Sequence, residues 1–209
     1  MSITVIFFLG LIVALIGVIP PGLLNMTAAR ISLKEGAARG IMFSSGVSIV
    51  VFVQTYIAAI FARYLSNRPD IVEILQRVAF VLFVLITIYF LILASKQKEK
   101  KTKTEMKSKH GRLLHGMFLS ALNVFPIPYQ AYMTITLASF GWMNFERTNI
   151  ITYVTGASMG TFVALYFYIF FFDKIKDKKF TSQKSMNYSI GIITGIVALI
   201  TFINILREL

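Results

Sequence analysis

Six stretches of this 209-residue chain contain no Asp, Glu, Lys or Arg: Met1–Ala29, Gly40–Ala62, Val78–Ser95, Leu113–Phe145, Thr148–Phe172 and Ser185–Leu206. Each can hold the roughly 20 largely apolar residues that a helix needs to cross a bilayer. Together they use nearly the whole chain, which leaves no room for a separate soluble domain. Charged residues make up 14% of the sequence, against about 25% in soluble domains, and the mean hydropathy is +0.74. The first stretch lacks a basic region before its apolar run and a small-residue cleavage pattern after it, so it reads as a retained span, not a signal peptide. The chain has no cysteine, which excludes disulfides and thiolate metal or redox sites.

The prolines are placed unusually. Four of the five lie inside two of the apolar stretches, at Pro20-Pro21-Gly22 and Pro126-Ile127-Pro128, 106 positions apart. Proline lacks a backbone donor and clashes with the preceding turn, so it breaks a helix. A broken helix at membrane depth is tolerated where protein or a water-filled cavity satisfies the freed backbone groups. Paired interruptions at corresponding places in two halves are a sequence pointer to a transporter's binding site.

Charge sets the expected topology. If the N-terminus is outside, the inner connections are 26–40, 96–112 and 173–187, which carry three, eight and five positive residues, 16 of the 21 in the chain. The outer side keeps Arg63, Arg68, Arg77, Arg147 and Arg207. The positive-inside rule then puts both termini outside a bacterial inner membrane. The net charge of +12 is explained by this asymmetry, without nucleic acid as a partner. The lysine-rich connection fixes orientation and suits anionic headgroups. It also divides the chain into a first repeat of about 1–95 and a second of about 113–209, with 96–112 between them.

The halves match in outline. Each opens on a proline-broken segment, continues through a span that begins near a Ser/Gly cluster (Ser44-Ser45-Gly46 and Thr155-Gly156-Ala157-Ser158), and closes on a plainer apolar span. Gly46 and Gly156 are 110 positions apart. Three spans per half is an odd number, so the second half enters the membrane upside down relative to the first. The expected fold is therefore a single all-α membrane domain over 1–209, with six transmembrane helices forming two inverted three-helix repeats.

No constellation for catalysis is visible, and an enzyme is not expected. His110 and His115 fall in the basic connection and at the start of the fourth span. No Asp or Glu lies in an expected hydrocarbon core, which weighs against proton or metal-ion coupling through a buried acid; neither a metal site nor a cofactor is expected. Uncharged polar groups do flank the breaks: Asn25 and Thr27 after the first, Asn123 and Gln130 around the second. Free N–H groups at the start of a half-helix favour a carboxylate, and unwound carbonyls can receive an ammonium group. Amides donate and accept, so such a site suits a zwitterion without a buried charge. The plainer alternative is that these amides join helices, and that Gly46, Ser48, Gly156 and Gly160 are close helix contacts. Gln54 could face a polar interior. The aromatic run Tyr166–Phe172 reads as lipid-facing bulk, and Trp142 as an interfacial residue.

The stretch Pro20-Pro21-Gly22-Leu23-Leu24-Asn25-Met26-Thr27-Ala28-Ala29-Arg30, followed by Gly36, Gly40 and Ser45-Gly46, resembles the opening of the lysine exporter (LysE/RhtB-type) amino-acid efflux family. Gly116–Asn123 followed by Pro126 is similar to that family's second, Asn-Pro-containing motif. Two positions depart from the pattern: Leu23 stands where the first motif has its second proline, and Asn123 is not joined directly to a proline. The acid common early in the family's second span has no counterpart after Gly46.

The resemblance implies a secondary transporter that exports amino acids or similar small zwitterions by alternating access. The alternatives are an exporter of a cation or another small solute, and a non-transporting membrane scaffold subunit. The substrate-contacting set expected is Pro20, Pro21, Gly22, Asn25, Thr27, Gly46, Asn123, Pro126, Pro128 and Gln130. The expected partners are a small-molecule substrate and the lipid bilayer, and the sequence is compatible with a homo-oligomer.

Overall fold

The computed structural model describes residues 1–19, 22–66, 68 and 108–175, with single residues or short runs between 77 and 93 and between 188 and 203. Pro20 and Pro21, and most of the third and sixth apolar stretches, lie outside the described residues. Regular structure among the described residues is helical: α1 (Ile3–Val18), α2 (Leu23–Glu35), α3 (Ala37–Leu65), α4 (Lys109–Leu122), α5 (Pro126–Ser139) and α6 (Arg147–Ile175), with a π-helical turn at Tyr89–Leu93.

Both proline clusters fall at helix boundaries: Pro20-Pro21 lies in sequence between α1 and α2, and Pro126-Ile127-Pro128 opens α5. The Ser2 hydroxyl caps α1 by accepting from the Val5 N–H. With 16 residues the helix is about 24 Å long, short of the about 30 Å hydrocarbon core. After the break α2 sets off at 80° to it. The fourth apolar stretch is likewise two helices, α4 and α5, separated by Asn123–Phe125. Proline at the first position of α5 costs no hydrogen bond, because that N–H has no helical partner anyway. A close turn joins α2 to α3 through Gly36, whose φ of +94° is a region L side chains rarely adopt.

Where six spans were expected, α3 and the Arg147–Phe170 part of α6 are the described single helices long and apolar enough to cross a membrane. The bent α1–α2 pair would make a third span.

The chain divides into two compact units. The first holds Met1–Tyr64 and Thr104–Lys174, hence nearly all of α1 to α6. Its core has one cluster around Ile6, Val13, Ile150, Tyr153 and Val154 and another around Ala28, Ile31, Phe43, Val47, Val51 and Leu165. Glycines set two crossings. A methyl group on Gly10 would run into the Tyr153 carbonyl, and one on Gly156 or Gly160 into the Phe7 or Leu11 carbonyl, so α1 lies backbone to backbone on α6. In the same way Gly46 faces the Leu113 carbonyl and Gly116 the Phe43 carbonyl, at the α3–α4 crossing. Small residues allow this approach, and dispersion between the backbones replaces a hydrophobic drive that lipid does not supply.

The second unit holds Leu65–Lys103 and Ile175–Leu209. In it the Phe80 and Phe202 rings stack at 5.4 Å, and Gly191 lies against the Leu91 side chain.

One charge lies elsewhere than its sequence position suggests. Arg112, counted with the basic connection, is in the first turn of α4 and is 1% exposed. Its guanidinium grips Glu35, at the end of α2, through both carboxylate oxygens. The third guanidinium nitrogen, Nη1, lies 3.2 Å from His115 Nδ1. Guanidinium only donates, so Nδ1 accepts and the imidazole carries its proton on Nε2. The ring of His115 in turn lies edge-on to Phe43 at 5.4 Å.

Candidate functional site

A helix that stops inside a span leaves its last carbonyls without partners, and such groups are expensive to leave bare in an apolar surround. At the first break a side chain reaches each of two of them. Asn25 Nδ2 donates to the Val18 carbonyl at 2.8 Å, and the Tyr168 hydroxyl donates to the Ile19 carbonyl at 2.6 Å. Asn25 Oδ1 meanwhile accepts from the Gly22 N–H at 2.6 Å. Asn25 thus ties the end of α1 to the start of α2 from within the same segment.

The second break is closed from outside. Gln54, on α3, donates from its single Nε2 to the Ser120 carbonyl at 3.1 Å and to the Asn123 carbonyl at 2.9 Å. Further along, the Tyr153 hydroxyl donates to Gln130 Oε1 at 2.8 Å, a fully buried contact between α6 and α5. Tyr129 reaches from α5 to the Val13 carbonyl of α1 at 2.8 Å.

Between the breaks lies a cavity of about 70 Å³. The first break supplies Gly17, Val18 and Leu24 to its wall; the second supplies Asn123, Phe125, Pro126, Tyr129 and Gln130. Val47 and Val51 of α3 and Thr161 and Leu165 of α6 complete most of the rest.

Of the residues expected from sequence to contact a substrate, Asn123, Pro126 and Gln130 line this cavity. Gly22 caps α2 with extended backbone, and Asn25 is buried in the break itself. The Thr27 hydroxyl donates to the Leu23 carbonyl of its own helix at 2.6 Å. Gly46 is at the α3–α4 crossing, Pro128 is exposed in the first turn of α5, and Pro20 and Pro21 are outside the described residues. Residues not in that set also shape the site: Gly17, Phe125, Tyr129 and Thr161 in the wall, Gln54 and Tyr168 at the breaks. Gln54 could be suspected as an amide in a charge-free stretch. Tyr168 lies within an aromatic run, where nothing in the sequence separates it from lipid-facing neighbours.

Compared with known protein families, residues 15–204 match the LysE type translocators. The chain belongs to this family. It is accordingly a membrane transporter of small solutes, and its family is one of translocators, not of enzymes. No curated protein and no solved structure matches it. In this translocator the cavity lies between the two interrupted helical segments.

Proposed function

We propose that the chain is a secondary transporter that exports amino acids or similar small zwitterions across the bacterial inner membrane. The mechanism is alternating access around the cavity between the two breaks. The observation that carries this reading is the make-up of the cavity wall. Three of its pairs keep the spacings that relate the halves: Gly17 and Asn123, and Leu24 and Gln130, are 106 apart, while Val51 and Thr161 are 110 apart.

The glycine crossings follow the same rule. Gly10 meets Tyr153 as Gly116 meets Phe43, and Gly46 meets Leu113 as Gly156 meets Phe7. Those pairs exchange under the 106 and 110 offsets. The unit boundaries after Tyr64 and Lys174 differ by 110 as well. Such correspondence supports two repeats inserted in opposite senses, with the cavity on their shared axis near the midplane.

The polar wall residues Asn123, Gln130 and Thr161 come from the second half, where the corresponding positions of the first are Gly17, Leu24 and Val51. Neutral amides and a hydroxyl can orient a zwitterion without desolvating a fixed protein charge. At about 70 Å³ the space is far below the roughly 300–1,000 Å³ of open small-molecule sites, so it corresponds to a closed stage of the cycle and must widen to load.

The test is saturable amino-acid counterflow in proteoliposomes, run across a panel of amino acids. Filling the cavity by Thr161→Phe should abolish counterflow while membrane insertion and monodispersity persist. Full activity in both Thr161→Phe and Asn123→Leu would reject the cavity as the translocation site.

A further inference from the structure

The two breaks are closed in different ways. At the first, both ends of the Asn25 amide are engaged within its own segment: Nδ2 on the Val18 carbonyl and Oδ1 on the Gly22 N–H. At the second, the amide comes from another helix. Gln54 reaches across from α3 and uses one end, Nε2, on the Ser120 and Asn123 carbonyls. Both contacted atoms are carbonyl oxygens, so the NH₂ end must be the one facing them. The other end, Oε1, is buried without a hydrogen-bond partner, on a residue only 6% exposed. A buried acceptor in that state carries an unrecovered desolvation cost.

We infer that the Ser120 and Asn123 carbonyls, together with Gln54 Oε1, form the receptor for a substrate's primary ammonium group, and that Gln54 Nε2 occupies that position when the transporter is empty. This rests on the amino-acid reading above and names the part of the site that would hold one end of the substrate. For an ammonium to take the place of Nε2, the Gln54 side chain must withdraw and turn its Oε1 toward the vacated position. The oxygen then joins the two carbonyls, giving three acceptors for the three N–H donors of an ammonium. The separations fit nitrogen as the central atom. Gln54 Nε2 sits 2.9 and 3.1 Å from the two oxygens, which are N–H···O lengths and longer than the about 2.3–2.6 Å at which oxygens hold a hard metal cation. Asn123 lines the cavity while Ser120 and Gln54 do not, so a substrate held there would reach the carbonyl pair past Asn123. The acceptor that is bare in the empty state gains a donor in the loaded one.

The test uses the purified protein in detergent and follows thermal unfolding with methylammonium chloride as the probe. Tetramethylammonium chloride, which carries the charge without any N–H, and sodium chloride serve as controls at equal concentration. A saturable rise in Tm with methylammonium alone is expected. Equal stabilisation by tetramethylammonium or by sodium would overturn the inference, and so would none from methylammonium.

Gln54→Glu gives a second readout. A carboxylate cannot donate to the two carbonyls but pairs with an ammonium, so methylammonium should bind about tenfold tighter or more, the scale of one hydrogen bond to a charged group. A purely structural Gln54 predicts lower stability with no gain in methylammonium affinity. If the variant does not fold, the wild-type comparison of the three salts still decides. Saturable amino-acid counterflow that neither methylammonium nor Gln54→Glu changes would reject the ammonium receptor and leave the transport reading standing. Methylammonium binding that depends on residue 54, in a protein that moves no amino acid, would do the reverse.

Discussion

The Tyr153 hydroxyl is fully buried and has one partner in the site, Gln130 Oε1 at 2.8 Å. Gln130 is on the cavity wall, so this bond sets which end of its amide faces the cavity: with Oε1 held by α6, the NH₂ group is the end left to meet a solute. Tyr153→Phe keeps the ring and removes the donor. It strands a buried acceptor, at about 1–3 kcal/mol, and frees the amide to turn. Thermal unfolding in detergent should fall by that amount, and the KM for counterflow should rise with little change in the maximal rate. A fall in rate at unchanged KM would count against an orienting role.

This bond shows what a sequence conveys at the scale of single residues. That amides flank the proline breaks is plain from the chain. Whether an amide meets solute or is spent on a carbonyl depends on partners as distant as the 69 positions between Gln54 and Asn123. Asn25 illustrates the difference, since proximity to the prolines marks it as important and its partners make it a tie across the break.

Between elements, the Glu35–Arg112 pair joins the end of α2 to the start of α4, and both side chains are 2% exposed. Removing one partner of a buried pair leaves an uncompensated charge, at about 3–5 kcal/mol. Arg112→Leu should therefore lower thermal stability strongly, and Glu35→Leu on that background should restore much of it, because the stranded carboxylate is gone. Stability of Arg112→Leu equal to wild type would show that water reaches the pair. The residues are 77 positions apart and each falls within an expected basic connection, so charge counting assigns both to loops. The fold places them in the joint between helices. Glycine behaves differently: Gly46, Gly156 and Gly160 stand out in the sequence as small residues in apolar spans, and backbone-to-backbone crossings are where the structure uses them. Periodicity of small residues survives translation into structure because the contact is made by the helix itself, whereas an ion pair depends on which ends meet.

At the scale of the whole molecule, the positive-inside rule gives an expected orientation from the charges outside the apolar stretches. Eight positive residues lie in 96–112 alone, and translocating them would be opposed by the membrane potential and the insertion machinery alike, which is the basis of the positive-inside rule. The chain lacks cysteine, so single cysteines report side without background. Thr148→Cys, exposed at the start of α6, and Lys109→Cys, exposed at the start of α4, flank the α4–α5 segment. If that segment crosses once despite its break, an impermeant thiol reagent should label position 148 in intact cells and position 109 only after permeabilisation. Labelling of both from outside would make the segment re-entrant. That result would remove one crossing from the second half, leave it with an even number, and undo the opposite insertion on which a shared central cavity depends. Labelling at 109 alone would invert the whole chain, and would keep the cavity but reverse the direction in which its closed stage opens.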